Sequence, residues 1–242
     1  MTTDPQPSSA QDVTADAVAP SDASGTPASD VGEQPVLQAE PPAAQTLFGN
    51  RIDVARSFTN ELARRGEELG LIGPLELPRL WTRHILNSAL LAPLLTAGGH
   101  VGDVGSGAGL PGLVLAIARP DVTFTLIEPM ERRVEWLTAE AARLGLENVS
   151  VLRARAEDVS DDLVLDQVTA RAVSALSKLI PMTVPLVRSG GELILMKGAR
   201  VDDEMVAARK VILRKRLENV EVLELGVGVV EETTRVFRAT VD

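Results

Sequence analysis

Asp103-Val104-Gly105-Ser106-Gly107-Ala108-Gly109-Leu110-Pro111-Gly112 is the stretch on which the fold turns. Before it, His100 to Gly105 (HVGDVG) is a short apolar run with strand character. After it, Leu113 to Ala118 forms a helical run that ends near Pro120. Glycines at such a strand-to-helix joint permit positive φ and let a ligand approach the backbone closely. The same alternation of element types continues outward. Val122 to Glu128 (VTFTLIE) is β-branched and apolar, and Glu131 to Leu144 is an amphipathic helix stopped by Gly145. Further strands are expected at Val149 to Leu152, Asp166 to Ala172 and Glu192 to Lys197. Helices are expected at Leu176 to Val187, where prolines interrupt it, and at Asp202 to Arg216. Val220 to Leu225 and Thr233 to Val241 complete a terminal hairpin. This pattern predicts an α/β, Rossmann-like fold: a seven-stranded, mostly parallel sheet with helices on both faces.

Upstream, residues 45–95 have helical periodicity, with Ile52, Ala55, Phe58, Leu62 and Leu69 on one face. Gly73-Pro74 marks a turn, and Pro78 stands where it can open a helix carrying Leu80, Ile85, Leu86 and Leu90. The first 44 residues differ in kind. They hold seven of the 15 prolines and seven acidic residues, with no Lys or Arg. Such a composition cannot bury enough apolar surface to offset chain entropy, so a disordered acidic tail is expected there. The expected organisation is therefore a tail (1–44), a helical segment (45–95) and the ligand-binding domain (96–242).

The net charge of −10 argues against a generally basic, nucleic-acid-binding surface. Without the tail's seven acidic residues, 27 acidic residues face 24 basic ones, a balance of −3. Any RNA contact must then come from a local cationic patch. The chain has no cysteine, which excludes a disulfide scaffold, a zinc-thiolate site, an iron–sulfur cluster and a thiol nucleophile. No metal site is expected. No secretory signal or membrane span is legible, so a cytoplasmic protein is expected.

Three features fall on one expected sheet edge, where doubly wound folds bind ligands: the glycine loop, Glu128, and Ala156-Glu157. An acid at the end of the second strand can accept the ribose hydroxyls of an adenosine cofactor. A solvated strand end for Glu128, and a helix N-terminal acid for Glu157, are the plainer alternatives. A nicotinamide dinucleotide wants G-x-G-x-x-G, whereas here the third glycine comes one residue early and no second domain follows. S-adenosylmethionine is the cofactor that fits, and the fold is then that of a class I methyltransferase.

Absences narrow the methyl acceptor. A pyrimidine carbon generally requires a cysteine nucleophile. Exocyclic amines are served by an Asp/Asn-Pro-Pro-aromatic segment, but Thr169-Ala170-Arg171-Ala172-Val173 occupies that place. A ring nitrogen such as guanine N7 has a free lone pair and needs no base, so catalysis would rest on orientation.

Arg83-His84-Ile85-Leu86-Asn87-Ser88, the glycine-Leu-Pro-Gly loop, Arg155-Ala156-Glu157 and Ala170-Arg171-Ala172 together resemble the bacterial 16S ribosomal RNA guanine-N7 methyltransferase family (RsmG/GidB). The likeness spans about residues 69–198. It implies methylation of a guanine in the 530 loop, with 16S ribosomal RNA or the small subunit as partner. It also implies S-adenosylmethionine contacts from Gly105, Leu110, Ala156, Glu157 and Arg171, with Glu128 matching the acidic strand end. Leu69-Gly70-Leu71-Ile72-Gly73 departs from the family's Asn-Leu-Thr/Ser segment.

Arg83, His84 and Lys197 are candidate RNA contacts. For His84 a satisfied packing role is the alternative, and for Lys197 a cation snorkelling to water. Arg155, Arg171, Lys197 and Arg200 are expected to form the local patch. With no Tyr, two Trp and four Phe, stacking platforms are scarce, so recognition should lean on phosphates and RNA shape. Two other functions compete. A small-molecule methyltransferase predicts an enclosed apolar pocket. A non-catalytic adenosine-binding module predicts binding without turnover.

Overall fold

A computed structural model describes residues 36–242. Seven strands form one sheet in the order β3-β2-β1-β4-β5-β7-β6. They are β1 (His100–Val104), β2 (Thr123–Ile127), β3 (Val149–Leu152), β4 (Leu165–Arg171), β5 (Val187–Lys197), β6 (Glu218–Leu225) and β7 (Thr234–Thr240). Strands β1 to β5 pair in parallel, whereas β7 runs antiparallel to both β5 and β6. The expected terminal hairpin is present, with β7 inserted beside β5 and β6 at the edge.

The helices are α1 (Ala43–Phe48), α2 (Ile52–Arg65), the single turn α3 (Asn87–Ala89), α4 (Gly112–Ala118), α5 (Glu131–Arg143), α6 (Leu176–Thr183) and α7 (Val201–Arg214). Charge placement suits them. Asp53 opens α2 and Arg64 and Arg65 close it, as Glu131 and Arg143 do for α5. Gly145 at φ +63 then ends the α5 run.

Alternation along the strands divides the core. Val101, Phe124, Leu126, Ile194 and Met196 face α1, α2, α4 and α5. Val104, Val168, Ala170, Leu193 and Leu195 face α6 and α7. The N-terminal helices share the first of these layers, with Phe58, Leu62 and Leu80 fully buried.

Several boundaries differ from the sequence expectation. The helix expected from Pro78 is a 3₁₀ turn (Leu77–Arg79) followed by a π-helix (Leu80–Leu86) and then α3. A π-helical segment of seven residues is too short for its wider repeat to show in the apolar spacing. Strand β5 begins at Val187, five residues early, because Ser189-Gly190-Gly191 continues the strand through a bulge instead of ending it. The expected acidic tail lies outside the described residues up to position 35. Its remainder, residues 36–44, is held on the body. The Gln38 amide N–H donates to the Leu77 carbonyl at 3.0 Å, Gln38 Oε1 accepts from the Thr82 amide at 3.0 Å, and Arg56 Nη2 donates to Glu40 at 2.8 Å. No described helix is long and apolar enough to cross a membrane.

Candidate active site

The carboxyl ends of β1 to β4 meet at one rim, beside the point where strand order reverses. Gly105 follows β1, Glu128 follows β2, Ala156 and Glu157 follow β3, and Arg171 ends β4. All of these, with Leu110, line a single cleft of about 740 Å³ that is open on one side. So the structure brings together every residue of the expected cofactor set.

The glycine loop is shaped by its neighbours. Gly105, Gly107 and Gly109 have φ of +72, +55 and +91. A Cβ on Gly105 would stand 2.7 Å from Val173 Cγ2, and one on Gly112 would meet Asp103 Oδ2 at 2.5 Å. Gly112 thereby lets α4 start against the end of β1. The Asp103 carboxylate accepts the Gly112 amide proton at 3.0 Å. It is wholly buried, and burial pushes its pKa up to about 7. Ser106 Oγ donates to the Asp103 carbonyl at 2.8 Å, and Trp136 Nε1 to the Ala108 carbonyl at 3.1 Å. Trp136 and Trp81 are both core residues.

Glu128 is 2% exposed, and each carboxylate oxygen accepts one backbone proton, from Gly107 and from Met130. It ties the glycine loop to the turn before α5. Its second lone pairs remain available to hydroxyl donors. Glu157 is exposed at the rim, while Ala156 is buried beneath it. A nucleoside-type cofactor fits this donor set: a tight glycine cradle, one buried acid and one rim acid.

Of the candidate RNA contacts, Arg83 is half exposed and 3.9 Å from Glu76. His84 is not a free surface group. Its Nε2 lies 2.5 Å from Glu76 Oε2 and its Nδ1 2.7 Å from Arg171 Nη2. Burial, aided by the Arg171 cation, lowers its pKa to about 4. Lys197 is engaged in an ion pair with Glu204 (2.7 Å) and a bond to the Ser174 carbonyl (2.9 Å). It neither snorkels nor stands open. The four-residue patch expected from Arg155, Arg171, Lys197 and Arg200 is accordingly not one patch. Arg155 and Arg200 are exposed on different clefts, and burial lowers the Arg171 pKa to about 10.

A second cleft of about 750 Å³ lies between the π-helix, the end of β5 and the start of β7, and is lined by Arg83, Asn87, Lys197, Arg200 and Arg235. It shares only Arg171 and Ala172 with the first. Sequence reasoning missed Glu76, Arg133 and Met130 as cleft residues. For Glu76 the one signal was Arg79 three residues on, to which it is paired at 2.6 Å.

Fold and site define a class I methyltransferase, whose methyl donor is S-adenosylmethionine. Two solved structures agree on the fold: M. jannaschii TYW2 in complex with AdoMet and a SAM-dependent O-methyltransferase from Thermotoga maritima. The first is 18% identical, with a TM-score of 0.51 over 66% of this chain and 76% of that one. The second is 19% identical, with a TM-score of 0.50 over 69% and 71%. Residues 51–232 match the family model GidB, rRNA small subunit methyltransferase G. A Ribosomal RNA small subunit methyltransferase G from Clavibacter sepedonicus is 66% identical over 86% of this chain and 99% of its own. One from Paenarthrobacter aurescens is 48% identical over 86% and 96%. The chain belongs to this family and is an rRNA methyltransferase.

Proposed function

We propose that the protein methylates N7 of a guanine in the 530 loop of 16S ribosomal RNA, the target that the sequence resemblance implies. Gly105, Leu110, Glu128, Ala156, Glu157 and Arg171 hold the cofactor in the first cleft, and the acceptor strand enters the second. Bound S-adenosylmethionine supplies an electrophilic methyl group on a sulfonium.

The observation that carries this reading is the proton bookkeeping where the clefts meet. An amine or hydroxyl acceptor must lose a proton, and a side chain must take it. No side chain in contact with Arg171 is free to do so among the described residues, and the one unpaired carboxylate of the second cleft, Glu232, is exposed on its wall and makes no contact with Arg171. Arg171 is a cation, and both nitrogens of His84 are engaged. Glu76 is drawn down to about 2 against its own burial by Arg79 and His84. Glu204 in the second cleft is paired with Lys197. A ring nitrogen with an open lone pair needs none of them. The chain's residues then bind and orient, which is worth several orders of magnitude in rate.

Labelled S-adenosylmethionine is to be incubated with the protein and either free 16S RNA or small subunits from a strain lacking the enzyme. Label in 7-methylguanosine from one substrate is expected. Label absent from guanine in both would overturn the proposal.

A further inference from the structure

The structure assigns Glu76 and His84 a joint role as positioning residues that fix the Arg171 guanidinium at the boundary between the two clefts. This rests on the reading above, in which Arg171 contacts the cofactor. Three segments converge here: the loop before the π-helix gives Glu76, the π-helix gives His84, and β4 gives Arg171.

A guanidinium carries donors only. With Arg171 Nη2 2.7 Å from His84 Nδ1, that ring nitrogen must be bare and accept. The single proton of the neutral ring then sits on Nε2, 2.5 Å from Glu76 Oε2, which accepts it. Glu76 therefore selects the tautomer, and the tautomer selects the Arg171 rotamer. The opposite tautomer, or a protonated ring, would set N–H against N–H at Arg171.

The surroundings reinforce the arrangement. Glu76 is itself held by Arg79 through two contacts, at 2.6 and 3.1 Å. The Arg83 carbonyl accepts from the same Arg171 nitrogen at 3.3 Å, so side chain and backbone of the π-helix grip one atom. No carboxylate pairs with Arg171 among the described residues, so its orientation depends on neutral acceptors. Such an acceptor directs a guanidinium without cancelling its charge toward a ligand.

Two substitutions at one position separate the halves of this device. In His84→Asn the carboxamide oxygen can take the place of Nδ1, so Arg171 keeps its acceptor while Glu76 loses its partner. In His84→Gln the longer side chain reaches the place of Nε2, so Glu76 keeps a donor while Arg171 loses its side-chain acceptor and keeps only the longer contact to the Arg83 carbonyl. The full-length variants are to be titrated with S-adenosylmethionine by calorimetry, with thermal midpoints recorded alongside. We expect H84Q to bind at least tenfold more weakly and H84N to stay within threefold, whichever is the less stable. Equal weakening, the reverse order, or no change in either would overturn the assignment.

Should H84Q fail to fold, Glu76→Gln and Glu76→Leu carry the same test. E76Q can still accept the Nε2 proton and should stay within twofold of the parent, whereas E76L should weaken binding at least fivefold. Equal affinities would overturn the assignment. A parent protein that takes up no S-adenosylmethionine would defeat the cleft assignment itself. Variants that keep the affinity of a binding parent would defeat only the positioning role.

Discussion

Glu128 Oε2 accepts the Gly107 amide proton at 2.9 Å, so an acid at the end of β2 holds the middle of a loop that begins after β1. The other oxygen accepts from Met130 at 3.0 Å. A buried carboxylate bonded this way is worth about 1.5–3 kcal/mol per charge-assisted contact. Glu128→Gln turns one acceptor into a donor facing a backbone N–H. We expect a loss of about 2 kcal/mol in urea unfolding and a tenfold or greater weakening of cofactor binding by calorimetry. Unchanged affinity in a folded variant would remove Glu128 from the site.

Gly105 tests the cradle from the backbone side. At φ +72, an alanine bears the left-handed penalty of about 1–2 kcal/mol, and its Cβ would press on Val173 at 2.7 Å. Val173 is partly exposed and can give way, so the fold should survive Gly105→Ala. The methyl would project at the wall of the first cleft. Expected are a modest fall in thermal midpoint and a cofactor affinity lowered at least tenfold. Gly145→Ala has an equally positive φ of +63 but nothing within 4 Å and lies outside the cleft. It should show the stability loss alone.

Much of this site was legible because strand-end chemistry is local. Gly105, Glu128, Ala156 and Arg171 each follow or end a strand that β-branched, apolar spacing reveals, and parallel pairing brings those ends to one rim. The Glu76–His84–Arg171 chain was not legible. Its members are up to 95 positions apart in the sequence, and the π-helix that aims His84 has no periodic signature. Lys197 misled for a related reason. A lysine closing an apolar strand looks available until α7, packed alongside, supplies Glu204.

His84 and Asp103 make opposed contributions to pH stability. Burial lowers the folded pKa of His84 to about 4 from an ordinary 6.5. Its contribution is complete above about pH 6.5 and is lost as pH falls toward 4. Burial raises that of Asp103 from 3.8 to about 7, so its contribution is complete below about pH 4 and is lost as pH rises toward 7. Urea unfolding at pH 4.5 and 6.5 separates the two. Relative to the parent, His84→Asn should lose less stability on acidification, and Asp103→Asn should lose more. The same pH slope in all three proteins would show that neither group titrates as its burial requires.

The second cleft makes an electrostatic prediction about the acceptor. Arg83 is half exposed, and Arg200 is exposed with no ion pair among the described residues. Both line the second cleft, and neither lines the first. If an RNA strand crosses here, each arginine displaces about one counterion, and log Kd against log salt loses about 0.7–0.9 per phosphate contact removed. Arg83→Gln with Arg200→Gln should therefore flatten the slope for 16S RNA by about 1.5. Affinity for S-adenosylmethionine should stay within twofold. Lys197→Gln is the contrasting case. Its ammonium is already neutralised by Glu204, so the salt slope should hardly change while the β5–α7 packing weakens. A slope altered by K197Q and not by the arginine pair would place the RNA path elsewhere on the rim.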